Sequence, residues 1–154
     1  SVGMIDAYLF SAFAKQAAES WDVLIFDFPA GMDFSLYSCL PDGTLFLTVA
    51  APDPVSVRDS AAVGGRLLGS SCAARLIINN FRYSFSKRRI FRGIDDIIDS
   101  SGLQLLGIVP YSSELMLLPV THSLKPKSKP MSAFLRIAKR LEGERVLLPN
   151  LKKL

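Results

Sequence analysis

Residues 21–33 read Trp-Asp-Val-Leu-Ile-Phe-Asp-Phe-Pro-Ala-Gly-Met-Asp. The apolar run 23–26 has no polar alternation, which is typical of a strand buried on both faces of a parallel sheet. Pro29 and Gly31 mark the loop that follows. A carboxylate at the end of a buried strand is costly unless it is compensated, and a magnesium ion or its bound water would compensate Asp27. The alternative is that Asp27 only caps the loop or the next helix.

Three further apolar runs alternate with segments of helical periodicity. Because such alternation implies crossover connections, it predicts an α/β fold with a doubly wound, mostly parallel sheet, formed by one domain over residues 1–154. The predicted strands are 23–27, 44–49, 75–79 and 105–109. The predicted helices are 4–19, a short helix ending near Cys39, 54–68 with Asp53 as its N-cap, 90–100 with Gly102 just past its end, and 131–142. The last helix is expected to turn Phe134, Ile137, Ala138 and Leu141 toward the core.

Composition limits the class of protein. The chain has 154 residues, 49% hydrophobic and 21% charged, which is a globular composition. Cys39 and Cys72 form no CxxC pair, so we expect neither a disulfide framework nor a zinc site. Two unpaired cysteines are typical of a protein in the reducing cytoplasm. The beginning, residues 1–10, lacks the basic region of a signal peptide. Since the first methionine is Met4, we expect the chain to be part of a longer protein.

Four stretches occur in an order that resembles one family. They are WDVLIFDFPAGMD at 21–33, AAPDPVSVRDS at 50–60, LIINNF at 76–81 and LLGIVP at 105–110. They resemble, respectively, the second switch, a helix entry, a strand ending in a base-reading Asn and a strand ending in Pro of the MinD/ParA family of deviant-Walker P-loop ATPases. The matches span nearly the whole chain.

The resemblance implies ATP binding with magnesium and dimerisation that depends on nucleotide. By position, it assigns a role to each of six residues. Asp27 would hold magnesium through water, Gly31 would sense the terminal phosphate, Asn79 would read the base, Pro110 and Tyr111 would wall the base, and Asp59 would lie near the dimer face.

The chain also departs from the family pattern. Asn80 stands where the family often has Arg, and Tyr111 stands where it usually has an acidic residue. No G-x-x-x-x-G-K-[ST] string is present. The nearest string, 64–71, lacks the Lys and ends a helix at Gly69 instead of following a strand. No catalytic residue is therefore assigned, and the chain by itself is not expected to hydrolyse ATP.

Charge is unevenly distributed along the chain. Residues 1–80 carry a net charge of −4 and residues 81–154 a net charge of +8. The basic cluster, interleaved with aromatic residues, consists of Arg82, Lys87, Arg88, Arg89 and Arg92, with a second group at Lys125, Lys127 and Lys129. One interpretation is a solvated loop; the other is contact with DNA phosphates or anionic lipid.

Three functions remain open. The first is an ATP-hydrolysing nucleotide switch that positions cellular machinery at the division site, at flagella or in DNA partitioning. Such a switch would be a homodimer in its complete form, would bind a regulatory protein, and would be cytoplasmic or peripheral at the membrane or nucleoid. The alternative is a non-catalytic degenerate relative that acts as an interaction module. The third is a metabolic or metal-cluster-carrier relative with the same sheet, which the lack of a CxxC pair disfavours.

Overall fold

A computed structural model describes residues 6–29, 34–67, 73–84 and 91–154 of the chain. They belong to two compact units, Ser1–Thr44 and Leu45–Leu154.

The first unit is built around helix α1 (Ala7–Ser20). Asp6 begins the helix, since its carboxylate accepts hydrogen bonds from the backbone N–H groups of Tyr8 at 2.8 Å and Leu9 at 3.0 Å. A short 3₁₀ helix follows at Phe34–Cys39. The helix predicted at 4–19 and the short helix predicted to end near Cys39 are confirmed within the described residues.

The strand predicted at 23–27 is wrong. Residues 23–29 carry no regular secondary structure, and every second side chain is exposed, with Val23 at 76% and Ile25 at 85%. The alternate residues pack instead: the Phe26 ring lies 5.4 Å from Phe10, and Phe28 lies 6.0 Å from the same ring. The segment therefore buries one side against α1, whereas the sequence indicated burial on both sides.

The second unit contains a three-stranded parallel sheet. Its elements are β1 (Leu45–Ala50), α2 (Pro54–Leu67), β2 (Ala73–Phe81), α3 (Ile94–Ser101), β3 (Gln104–Pro110), α4 (Ser113–Thr121) and α5 (Lys129–Leu141). The strand order is β1-β2-β3, and both neighbouring pairs are parallel. The other three predicted strands are therefore confirmed in both place and direction.

Two helix boundaries in this unit were predicted from the sequence. Asp53 caps α2, because its carboxylate accepts from the N–H groups of Val55 and Ser56 at 3.1 and 2.9 Å. Gly102 ends α3 in the left-handed conformation with φ 66°. Helix α3 begins at Ile94, later than predicted, while Gly69 lies outside the described residues.

Apolar clusters cover both faces of the sheet. On one face, buried residues of α2 and α3 pack against β2 and β3; we call this the α2/α3 cluster, and it includes Val57, Leu76, Ile78, Ile97 and Ile108. On the other face, Leu106 and Val109 pack against Ala133 and Ile137 of α5, and we call this the α5 cluster. Helices on both faces of a parallel sheet confirm the doubly wound α/β fold class.

The core-facing side of α5 differs from the prediction. Its buried residues are Pro130, Ala133 and Ile137. Phe134 and Leu141 are 42% and 45% exposed, and Ala138 is exposed as well. The smaller side chains face the sheet because α5 approaches β3 closely, leaving no room for a phenyl ring. The helix also begins at Lys129, two residues before its predicted start.

Helix α4 was not predicted, because its sequence shows no clear helical periodicity. None of its residues is buried, and Pro119 lies inside it. Within the described ranges, no helix has both the length and the apolar composition needed to cross a membrane.

Candidate nucleotide-base site

The pairing of β2 with β3 changes register near the carboxyl ends of the strands. Ile78 pairs with Ile108, but the next pair is Phe81 with Pro110, so β2 contains one extra residue between them. Asn80 has φ 56°, the left-handed conformation that Asn tolerates better than most residues. The sequence Asn79-Asn80 therefore forms a β-bulge, a feature that is common next to functional sites.

Asn79 lies half-buried in this bulge. Its Oδ1 accepts a hydrogen bond from the backbone N–H of Asn80 at 2.9 Å. This bond orients the side-chain amide and leaves its NH₂ group to donate to a ligand. A purine ring nitrogen accepts such a bond, so the amide is suitable for the base-reading role predicted for it.

Pro110 and Tyr111 lie beside the bulge. Pro110 is fully buried, and the N–H of Tyr111 donates to the carbonyl of Phe81 at 2.9 Å, which extends the β2–β3 contact past the last paired residue. Tyr111 is 40% exposed, and its hydroxyl lies 3.3 Å from Sδ of Met116. The structure thus brings Asn79, Pro110 and Tyr111 to one edge of the sheet.

Arg82 joins this group, although the sequence placed it only in the basic cluster. Its Cζ lies 3.3 Å from the centroid of the Tyr111 ring, a cation–π contact. The sequence signal for this pair was the position of each residue just after a strand end. The contact itself depends on the bulge, which periodicity does not reveal.

The predicted magnesium and phosphate residues lie in the first unit. Asp27 is exposed in the extended segment, and Gly31 lies outside the described residues. In the part of the chain that the structure describes, no group of three or more His, Cys, Asp or Glu side chains could hold a metal. The magnesium role of Asp27 stays a prediction.

Asp59 and Arg92 are surface groups. Asp59 is exposed on α2 and pairs with Arg58 at 3.2 Å. Arg92 is exposed, and its backbone N–H donates to Asp96 at 2.7 Å, which fixes the start of α3. Residues 87–89 of the basic cluster lie outside the described ranges. The roles predicted for Asp59 and for the basic cluster stay predictions.

No protein-family model matches the chain. Sequence relatives nevertheless share a name, septum site-determining protein MinD. The protein from Synechocystis sp. is 27% identical over 147 residues, 91% of this chain and 54% of the relative. The protein from Thermotoga maritima is 27% identical over 155 residues, which are 96% of this chain and 56% of the relative. The protein from Bacillus subtilis is 27% identical over 146 residues, which are 90% of this chain and 54% of the relative. The chain thus spans about half the length of these curated relatives.

Solved structures show the same likeness. The MinD cell division protein of Aquifex aeolicus superimposes with a TM-score of 0.83 at 24% identity, covering 95% of this chain and 64% of that one. A MinC:MinD complex from the same organism gives 0.81 at 25% identity, with 95% and 63% covered. A ParA family ATPase of Chlorobium tepidum gives 0.64 at 22% identity, with 89% and 57% covered. In sequence and in fold, this chain is therefore related to the MinD/ParA family that its four ordered stretches resemble.

Proposed function

We propose that this chain supplies the base-binding part of a MinD/ParA-type nucleotide switch, which binds ATP with magnesium and positions the machinery of the cell-division site. The observation that carries the proposal is the meeting of Asn79, Arg82, Pro110 and Tyr111 at the carboxyl edge of a parallel sheet. Ligands of open α/β sheets bind at this edge. The name shared by the sequence relatives supports the division site over flagella or DNA partitioning.

The chemistry of the site suits a purine. The Asn79 amide donates to the ring edge, while the stacked Arg82 and Tyr111 offer a flat surface beside it. Pro110 is fully buried and fixes the position of Tyr111. Asn79, Arg82 and Tyr111 bind and orient the base, Pro110 acts through the position of Tyr111, and none of the four acts on a phosphate.

The phosphate side of the nucleotide depends on other parts of the protein. Within the 154 residues, Gly31 and Asp27 are the residues that the family resemblance assigns to it. Magnesium would supply neutralisation of the phosphate charge. Asp27 would contribute by holding water bound to that ion, which is consistent with its exposed carboxylate.

The partners are part of the same proposal. One structural neighbour is a MinC:MinD complex, so we include a regulatory protein partner. We also include a homodimer whose face lies near Asp59, and location in the cytoplasm or at the membrane or nucleoid surface. The exposed Arg58–Asp59 pair leaves this face of α2 accessible.

A non-catalytic interaction module is the second candidate function. It is favoured by one observation, the lack of a Lys-containing phosphate loop between Ser1 and Leu154. Such a module would keep the sheet and the bulge but would not bind ATP, even when a phosphate loop is supplied.

The test is a chimaera that supplies the phosphate loop. The part of Aquifex aeolicus MinD that this chain does not match would be fused to residues 1–154, and ATP affinity would be measured by calorimetry with magnesium. We expect Asn79→Ala to weaken binding by about 1–3 kcal/mol, because a buried hydrogen bond to the base is lost. Gln104→Ala is the control, since it removes an exposed amide at the opposite end of β3.

The outcomes separate the two functions. Binding that weakens with Asn79→Ala but not with Gln104→Ala supports the switch. A folded chimaera that binds no ATP supports the interaction module. If the chimaera binds ATP with the same affinity in both variants, Asn79 does not read the base.

A further inference from the structure

A cleft of about 250 Å³ lies between α5 and the C-terminal turn of the chain. Lys129, Ser132 and Arg136 line one wall, and their spacing of three and four residues puts them on the same face of the helix. Lys127 precedes them, while Asn150 and Lys153 line the opposite wall. The cleft is separate from the candidate base site, which belongs to the ends of β2 and β3.

The cleft contains an excess of positive charge. Four of its eight lining residues are Lys or Arg, and the negative group on its wall is the terminal carboxylate of Leu154, which Lys129 contacts. Among the residues that the structure describes, Lys127, Arg136 and Lys153 form no ion pair with a carboxylate. An anion in the cleft would reduce the repulsion among the cations that line it.

The wall formed by the chain's end is held in place by specific contacts. Arg140 donates from Nε and Nη2 to the carbonyl of Val146 at 3.0 and 2.6 Å. Leu151 and Leu154 pack against the α2/α3 cluster. Lys129 Nζ donates to a terminal carboxylate oxygen of Leu154 at 3.2 Å. The cations therefore surround a concave site with two fixed walls.

Two polar groups complete the donor set. Asn150 accepts from the N–H of Lys152 through Oδ1 at 3.0 Å, which leaves its NH₂ group to donate. The Ser132 hydroxyl lies on the α5 wall. Ammonium, guanidinium, amide and hydroxyl donors around a small cavity match the several acceptor oxygens of a phosphate group. The volume is below that of sites for drug-sized ligands, roughly 300 Å³ and above.

We propose that this cleft binds a phosphate-bearing small anion, either a free polyphosphate or the phosphate of a lipid headgroup. Arg136 and Lys153 supply charge from the two walls, and Ser132 and Asn150 add neutral donors. The site does not depend on the proposed nucleotide switch.

The experiment measures binding of sodium pyrophosphate to the 154-residue chain by calorimetry at low salt. The cleft variant combines Arg136→Gln with Lys153→Gln. The matched control combines Arg145→Gln with Lys152→Gln, which lowers the net charge equally but changes exposed residues that do not line the cleft. We expect the cleft variant to lose about tenfold or more in affinity, because charge-assisted hydrogen bonds are removed, and the control to change little.

A second arm separates the two sources of phosphate. Sedimentation with phosphatidylglycerol vesicles, compared with phosphatidylcholine vesicles, tests the headgroup. Binding that the cleft variant alone loses, in either arm, supports the site and identifies its source. No binding in both arms, or equal loss in the two variants, overturns it.

A measurement on the unmodified chain covers the case in which the cleft variant fails to fold. On addition of pyrophosphate, the amide NMR signals of Ser132, Arg136 and Asn150 should shift together and saturate. Shifts that spread over exposed lysines without saturating would overturn the proposal.

Discussion

Arg140 connects three parts of the second unit through a single side chain. Its Nη1 donates to the carbonyl of Leu106 in β3 at 2.6 Å, and its other nitrogens donate to Val146 beyond the end of α5. The planar fork of the guanidinium makes this possible, since a lysine ammonium cannot span two carbonyls in this fixed geometry. Arg140 therefore stabilises the segment that leads to the C-terminal turn.

Replacing Arg140 tests this role. We expect Arg140→Ala to lower the free energy of unfolding by about 1–3 kcal/mol, because two carbonyls lose their donors. Arg140→Lys should recover only part of the loss. Urea denaturation followed by far-UV circular dichroism measures the change, with the exposed Arg145→Ala as control. Equal stability of the Arg140 and Arg145 variants would contradict the role.

Sequence reasoning predicted individual residues of the candidate base site where a general rule about strand ends applied. Asn79 and Pro110 were singled out because ligand-binding residues follow the carboxyl ends of parallel strands, and the structure places both of them at such ends. The Arg82–Tyr111 contact was not predicted, since the sequence does not reveal the extra residue in β2 by which Phe81, and not Asn80, pairs with Pro110. Asp27 was assigned from a strand that the structure does not form.

Among the elements, the closest contact is that of α5 with β3 at Gly107. A Cβ built on Gly107 would overlap Cγ1 of Ile137 and lie 2.8 Å from its Cδ1. The glycine thus permits the helix to lie close to the sheet, and it explains why Ala133 and Ile137, not Phe134, form the buried face.

A pair of glycine substitutions tests this approach. We expect Gly107→Ala to destabilise the chain by about 1–3 kcal/mol, because Ile137 must move to admit the methyl group. Gly65→Ala in α2 is the matched control, since nothing lies within 4 Å of its built Cβ. That change should be neutral or stabilising by up to about 1 kcal/mol, because Ala favours the helix. Chemical denaturation of both variants gives the values, and a Gly107→Ala protein as stable as the original would refute the tight contact.

The elements that the sequence predicted correctly share one property. Strands β1, β2 and β3 are apolar runs that pair with one another in the sheet. The run 23–26 has the same composition, but composition does not specify a pairing partner, and in the structure the segment packs one side against α1. Helix α4 was missed for the opposite reason: it buries no residue, so its sequence carries no periodic signal.

For the whole molecule, the residues assigned to the base and to magnesium belong to different units. Asn79, Arg82, Pro110 and Tyr111 lie in Leu45–Leu154, whereas Asp27 lies in Ser1–Thr44. The base side is formed from local contacts within the second unit. The phosphate side, by contrast, has no Lys-containing loop within the 154 residues.

We therefore expect this chain alone not to hydrolyse ATP. Phosphoryl transfer requires groups that position the triphosphate and neutralise its charge, and a single exposed carboxylate does not do this. Phosphate release from the purified chain with ATP and magnesium should equal that of an Asp27→Ala control. Release above background that disappears in the control would show that the phosphate site lies within these residues.

The β2–β3 ladder contains two irregularities that offset each other. Strand β3 has one extra residue, Leu106, between the partners of Leu76 and Ile77, and β2 has one extra residue before Phe81. Leu106 and Gly107 consequently both face α5, and Phe81 returns to the α2/α3 cluster. Deleting either extra residue alone would turn the side chains beyond it to the opposite face of the sheet. We therefore expect the lengths of these two strands to change together in evolution, so that a deletion in one strand is accompanied by a deletion in the other.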